Sequence, residues 1–117
     1  MKESDVVSLH TPLNEYTRNL IKYEQFLYCK QNLIFVNAAR GGIVDEAGLV
    51  KALEEKLLAG AASDVFSSEP VRPDNPLLHY TGDRPLLLTP HIAWGSFEAR
   101  QQLLEITRKN LLALLTP

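Results

Sequence analysis

The sequence holds a single cysteine, Cys29, which excludes an intrachain disulfide, and no Cys/His spacing in it gives a structural zinc or other metal site. A reducing, cytoplasmic setting is therefore expected. Nowhere do about 18 uninterrupted apolar residues occur, so no membrane-spanning helix is expected. The opening Met1-Lys2-Glu3-Ser4-Asp5 does not read as the basic lead-in to an export signal. An excess of charge is missing too: 12 Lys and Arg stand against 14 Asp and Glu, for a formal net charge of -2. That balance offers no electrostatic footprint for nucleic acid or for an anionic membrane, so neither is an expected partner. There is no internal repeat and no low-complexity segment. What is present is ordinary globular composition, 117 residues with 45% hydrophobic and 22% charged, enough for one core but not for two.

Along the chain, short apolar runs alternate with helical patterns. Asp5-Val6-Val7-Ser8-Leu9-His10 reads as a buried strand. Thr11-Pro12 breaks it, with Thr11 able to cap a helical stretch beginning at Pro12, and Glu15 to about Cys29 predicts helix, in one or two pieces. Leu33-Ile34-Phe35-Val36-Asn37 predicts a strand covered on both faces. After the small-residue loop Ala38-Ala39-Arg40-Gly41-Gly42, Asp45 opens a helix with Leu49, Val50, Leu53 and Leu57 on one face, closed by Gly60. Ala61 to Phe66 is a third strand, Ser67 to about Pro85 a long loop, and Leu86-Leu87-Leu88-Thr89 a fourth strand. Ser96 caps a last helix through Leu115, with Leu103, Leu104, Leu111, Leu112 and Leu115 as its apolar stripe. The order predicts an α/β fold, a doubly wound parallel sheet of about four strands with flanking helices and a long C-terminal helix.

Such sheets bind ligands at the carboxyl ends of their strands, and the reactive residues stand there. Arg40 has small neighbours that let it approach a ligand, and its rigid fork suits a carboxylate; the plain alternative is a surface arginine in a Gly-rich turn. A carboxylate set against an imidazole holds its tautomer and favours its charged form, which would tie Glu69 to His91, whereas a lone Glu69 is a solvated loop acid. His91 follows a buried strand and precedes a capped helix, a position that presents its ring at the ligand edge. His10 and His79 read as structural. Asp64, ending a strand, is a candidate site residue or a simple turn former.

Five stretches carry a resemblance. They are Ser4-Asp5-Val6-Val7-Ser8-Leu9-His10 with Thr11 to Thr17, Asn37-Ala38-Ala39-Arg40-Gly41-Gly42-Ile43-Val44-Asp45-Glu46, Asp64-Val65-Phe66 with Glu69-Pro70, Asn75-Pro76-Leu77-Leu78, and Thr89-Pro90-His91-Ile92-Ala93-Trp94. In that order they closely resemble the D-isomer-specific 2-hydroxyacid dehydrogenases, from Ser4 to about Leu112, and the last stretch is most similar to the glycerate dehydrogenase (hydroxypyruvate reductase) branch. The resemblance implies hydride transfer between NAD, or NADP in its place, and C2 of a small 2-oxo acid. It implies Arg40 as the clamp on the substrate carboxylate and carbonyl, His91 as proton donor and acceptor, and Glu69 as the partner of that histidine. It places Asp64 on the nicotinamide carboxamide, and Thr11, Pro12, Leu13, Thr17, Ala38, Ala39, Arg40, His91, Ala93 and Trp94 around the cofactor.

The Gly-x-Gly-x-x-Gly turn that seats a pyrophosphate on a helix N-terminus does not occur in these residues, nor does the acidic residue that reads the ribose. The chain therefore reads as the second half of a Rossmann-like NAD-binding domain, an enzyme fragment expected to be inactive alone. The rival reading is a dehydrogenase remnant kept as a dimerisation or interaction module, which would have no need of Arg40, Glu69 and His91. A hydrolase built on His91 lacks a Gly-x-Ser-x-Gly nucleophile elbow. The strand around Val6 is expected to lie at an open edge, a template for association. The chain is accordingly expected to form a homo-oligomer or to depend on the rest of its enzyme. Sedimentation at micromolar concentration checks this, and a sharp monomer that unfolds cooperatively would refute it.

Overall fold

β-Branched and aromatic side chains favour extended backbone, and in the computed structural model, which describes residues 1–115, they dominate the first two strands, while the third and fourth are built from small residues and leucines. β1 (Val6–Leu9), β2 (Ile34–Asn37), β3 (Gly60–Ser63) and β4 (Leu86–Leu88) form one wholly parallel sheet in the order β1-β2-β3-β4. The helices are α1 (Tyr23–Phe26), α2 (Glu46–Glu54) and α3 (Phe97–Leu115), with 3-10 turns at Pro76–His79 and Ala93–Gly95. This is the alternating α/β order of a doubly wound sheet, with β1 and β4 as its edges.

The register sets Val7, Phe35, Ala61 and Leu86 in one row across the sheet. Phe35 is fully buried and meets Phe26 of α1 edge to face, with ring centroids 5.2 Å apart. Leu49, Ala52 and Leu53 of α2 complete this core together with Leu33 and Leu58. Burying each large side chain contributes about 1.5–3 kcal/mol, so the core holds α1 and α2 against the sheet. The opposite face is open, contrary to the expectation of a strand covered on both sides: Val6, Ile34 and Leu87 are 59%, 47% and 63% exposed. Side chains alternate in direction along a strand, and both helices that pack on the sheet join one core cluster.

Three local expectations are corrected. Helix from Glu15 to Cys29 shrinks to α1: Asn14 caps a single turn, but Asn19 then adopts a left-handed backbone with φ 50°, and Ile21 is drawn into a parallel bridge with Val44. The stretch from Pro12 is likewise not helical; the Thr17 hydroxyl donates to the Pro12 carbonyl and closes a turn. α2 ends not at Gly60 but at Glu54, where Lys56 takes the left-handed position with φ 59°. The Leu57 and Lys56 amides then close onto the Ala52 and Leu53 carbonyls. Gly60 begins β3 instead, where a Cβ would stand 2.8 Å from the Pro85 ring. Ser96 does cap α3, accepting from the Ala99 amide at 3.2 Å. The leucine stripe of α3, however, is exposed rather than buried, and the molecule extends to 60 Å along its longest axis.

One backbone contact binds the loops at the strand ends together. A Cβ on Gly41 would lie 1.6 Å from the Phe66 carbonyl oxygen and 2.7 Å from the Ser67 nitrogen. Only glycine lets the loop after β2 press on the loop after β3. Gly41→Ala is expected to destabilise the fold by about 3 kcal/mol, the upper end for forced overpacking. Urea unfolding checks this as a lower midpoint with an unchanged slope.

Candidate active site

Four strands end on the same side of the sheet, and each hands over to a loop that bears candidate chemistry. After β4 the chain turns sharply at His91, whose φ of 56° is rarely adopted by a residue with a side chain. The turn is held from β3. Asp64, 6% exposed, accepts the Thr89 hydroxyl at 2.5 Å and the Ile92 and Ala93 amides at 2.9 and 2.8 Å. The Trp94 indole N–H adds a bond to the His91 carbonyl at 2.9 Å. Thr89 before and Ile92 after the Pro90–His91 pair are thus tied to one side chain, and the left-handed backbone at His91 is held between them.

The ring is aimed by Glu69. His91 Nδ1 lies 2.7 Å from Glu69 Oε2, while Glu69 Oε1 accepts the Phe66 amide at 3.1 Å. A carboxylate on Nδ1 keeps the proton there and leaves Nε2 to exchange protons with a ligand; Nε2 has no partner among the described residues. The bond from His91 holds the Glu69 carboxyl below the usual glutamate range, and the Phe66 amide and the charges of His91 and Arg40 work in the same direction against a burial penalty. For Asp64, burial pushes the carboxyl up, but the Thr89 hydroxyl and the two amides outweigh it and the net shift is down.

Arg40 is exposed, with one guanidinium nitrogen on the Ala39 carbonyl at 2.7 Å. Its turn is braced by buried Asn37, which accepts the Ala39 amide and donates to the Arg40 carbonyl, both at 3.2 Å. His10, Thr11, Pro12, Ala38, Ala39 and Arg40 line one groove of about 310 Å³, and Glu69, Pro90 and His91 share a smaller hollow of about 150 Å³. Leu13 and Thr17 stand apart from that groove: Leu13 lies against Gly42 and Thr17 is committed to Pro12. Trp94 is 60% exposed beyond His91. His79 bonds the Pro73 carbonyl at 2.6 Å, a structural place. A further hollow runs along exposed α3, lined by Glu98, Gln102 and Glu105 among others, far from these loops in sequence and without their chemistry.

Sequence reasoning passes over Asn37, Thr89 and Glu46, which brace the loops rather than line them. Only the polarity of Asn37 at the end of an apolar strand could have signalled such a role.

Asp64 and Glu69 both titrate lower in the folded chain than when unfolded. Their contribution to stability is complete above about pH 5 and is lost as pH falls through the ordinary carboxylate range to their lower folded values. Asp64→Ala strands three donors and is expected to destabilise the chain by about 1–3 kcal/mol near neutrality. It should also flatten the acid limb of stability, measured by urea unfolding at about pH 7 and about pH 3.

Residues 1–93 match the family model described as D-isomer specific 2-hydroxyacid dehydrogenase, NAD binding domain. The chain is similar to a glyoxylate reductase of Thermofilum pendens, 44% identical over 115 residues, which cover 98% of this chain and 33% of that protein. It is similar to a glycerate dehydrogenase of Methylorubrum extorquens, 45% identical over 102 residues, or 86% of this chain and 32% of that one. Among solved structures, D-lactate dehydrogenase with NAD+ from Lactobacillus jensenii matches with a TM-score of 0.82 at 34% identity, over 97% of this chain and 37% of that one. The chain spans about a third of the length of these relatives. Its parallel sheet, its loops at the strand ends and the match over residues 1–93 agree: the chain belongs to the D-isomer-specific 2-hydroxyacid dehydrogenase family, in the region of the NAD-binding domain.

Proposed function

We propose that this chain carries the acid–base and carboxylate-binding residues of an NAD-dependent dehydrogenase for small 2-oxo and 2-hydroxy acids, with hydroxypyruvate and glyoxylate as the substrates to try first. The observation that carries the reading is the 2.7 Å contact between His91 Nδ1 and Glu69, with Arg40, which lines the groove at the end of β2, close enough for its charge to act on Glu69. The cofactor fits what the groove offers: Thr11, Pro12, Ala38 and Ala39 are small or flat and suit one face of a planar ring. Thr11, Pro12, Ala38 and Ala39 would hold the nicotinamide half, with Leu13, Thr17, Asp64, Ala93 and Trp94 in the loops around it. When bound, the nicotinamide supplies or accepts the hydride exchanged with C2.

The chain's own residues do the rest. Arg40 binds the substrate carboxylate through its paired N–H groups and orients the carbonyl. Negative charge develops on the carbonyl oxygen as it is reduced, and the guanidinium stabilises that charge more in the transition state than in the ground state. His91 delivers a proton from Nε2 to the same oxygen, and takes it back in the oxidative direction. Glu69 holds the ring and stays ionised, which its lowered pKa secures at neutral pH. Glyoxylate reductase and glycerate dehydrogenase, the names borne by similar proteins, support the choice of substrates.

The direct test is NADH oxidation with hydroxypyruvate, glyoxylate and pyruvate. It uses the 117-residue chain alone and a chimaera in which the chain replaces the matching third of the Thermofilum pendens relative. Turnover is expected in the chimaera and not in the chain alone. His91→Ala should lower kcat by about 100-fold or more with NADH binding retained. Arg40→Ala should lower kcat/KM roughly 10- to 100-fold, mainly through KM for the oxo acid. Normal turnover in the His91 variant would refute the assignment.

A further inference from the structure

A second carboxylate gathers donors outside the pair at His91. Glu46, the first residue of α2, accepts the Ser67 amide at 2.7 Å, the Ser67 hydroxyl at 2.6 Å and the Asn75 side-chain amide at 2.8 Å. A glutamate in a first helical turn ordinarily serves its own helix dipole. This one reaches across to the loop after β3. Ser67 and Asn75 are the two ends of the stretch that carries Glu69, and Asn75 is itself buried, with its Oδ1 taken by the Leu77 amide at 3.0 Å. One side chain therefore closes that loop at both ends.

The closure reaches Glu69 directly. Consecutive amides go to different carboxylates, Phe66 to Glu69 and Ser67 to Glu46. The peptide between them is pressed on its carbonyl side by Gly41. It cannot rotate without giving up the Glu46 bond or colliding with the loop after β2. Any tilt would carry the Phe66 amide away from Glu69 and, with it, the carboxylate away from the imidazole.

We infer that Glu46 is a positioning residue for the proton-transfer pair, closing the Ser67–Asn75 loop so that Glu69 meets His91 Nδ1; its catalytic meaning rests on the dehydrogenase reading above. Glu46 has no hydrogen bond to His91 and does not line the groove at Arg40. Its effect passes wholly through the loop. The groups that face Glu69 and would report the change are His91, the Phe66 amide and the charge of Arg40.

The test is a carbon-13 NMR titration of the Glu69 carboxyl in the 117-residue protein. Glu46→Gln turns an NH2 toward the Asn75 amide, donor against donor, and frees one end of the loop. The Glu69 midpoint is expected to rise toward the ordinary glutamate value by about half a pH unit or more. Adding Asn75→Asp restores an acceptor opposite the new amide and should return the midpoint. Ser67→Ala, which removes only the hydroxyl bond, should move it in the same direction by less. A midpoint unmoved in both Glu46→Gln and Ser67→Ala, with only the melting temperature lowered, would make Glu46 a mere stabiliser and overturn the inference. The titration needs no turnover, so it fails or succeeds apart from the His91→Ala assay that decides the dehydrogenase reading.

Discussion

Taking a carboxylate out of water is unfavourable by several kcal/mol unless donors replace the lost hydration, and the strand-end loops are arranged around that demand. Asp64 is buried at the end of β3 and draws its three donors from the turn after β4. To fill those lone pairs the chain must place Thr89, Ile92 and Ala93 within about 3 Å of one side chain. That fixes the two residues between Thr89 and Ile92, Pro90 and His91. The location of His91 is thus a by-product of satisfying a neighbour, and the rest of the site is measured from it.

Short strands alone would not give such order, since β4 has only three residues and the loops are longer than the elements they join. Rigidity comes from polar ties between loops that start on different strands. Asn37 braces the turn at Arg40, Gly41 seats that turn on Phe66, and Glu69 bridges the loop after β3 to the imidazole. The first tie stiffens one loop from within, and the other two join loops whose strands are neighbours in the sheet order. A displacement of one loop is therefore felt by the next, and Arg40, Glu69 and His91, the groups proposed to act on one substrate, share one frame.

Much of this was legible in the sequence. The four apolar runs located the strands, and their order implied parallel pairing because helical patterns lay between them. Arg40, Glu69 and His91 stood at strand ends, where such sheets place chemistry. The helix from Glu15 misled because helical spacing of apolar residues says nothing about Asn19, which turns left-handed, or about Ile21, whose backbone bonds to the Ile43 carbonyl instead of continuing the turn. Gly60 misled because Lys56, not a glycine, takes the left-handed position at the end of α2. The apolar run at Ile34 implied cover on both faces, yet hydrophobicity records what a surface favours and not what lies on it. Glu46 could not be read at all, since a first-turn glutamate looks the same whether it serves its own helix or a distant loop.

The left-handed backbone at His91 sets stability and chemistry against each other at one position. Glycine occupies that region of φ and ψ without the Cβ conflict that a histidine meets, and asparagine enters it as readily as histidine does. The local fold therefore does not select for histidine; the hydrogen bonds of Asp64 and Trp94 hold the turn whatever side chain it carries, because they involve the Thr89 hydroxyl, the Ile92 and Ala93 amides and the His91 carbonyl, and not the ring. A chain that exchanged this ring for asparagine, which takes the same backbone region, would keep the shape of its turn while losing the imidazole. On the dehydrogenase reading, such a loss of chemistry would be structurally silent.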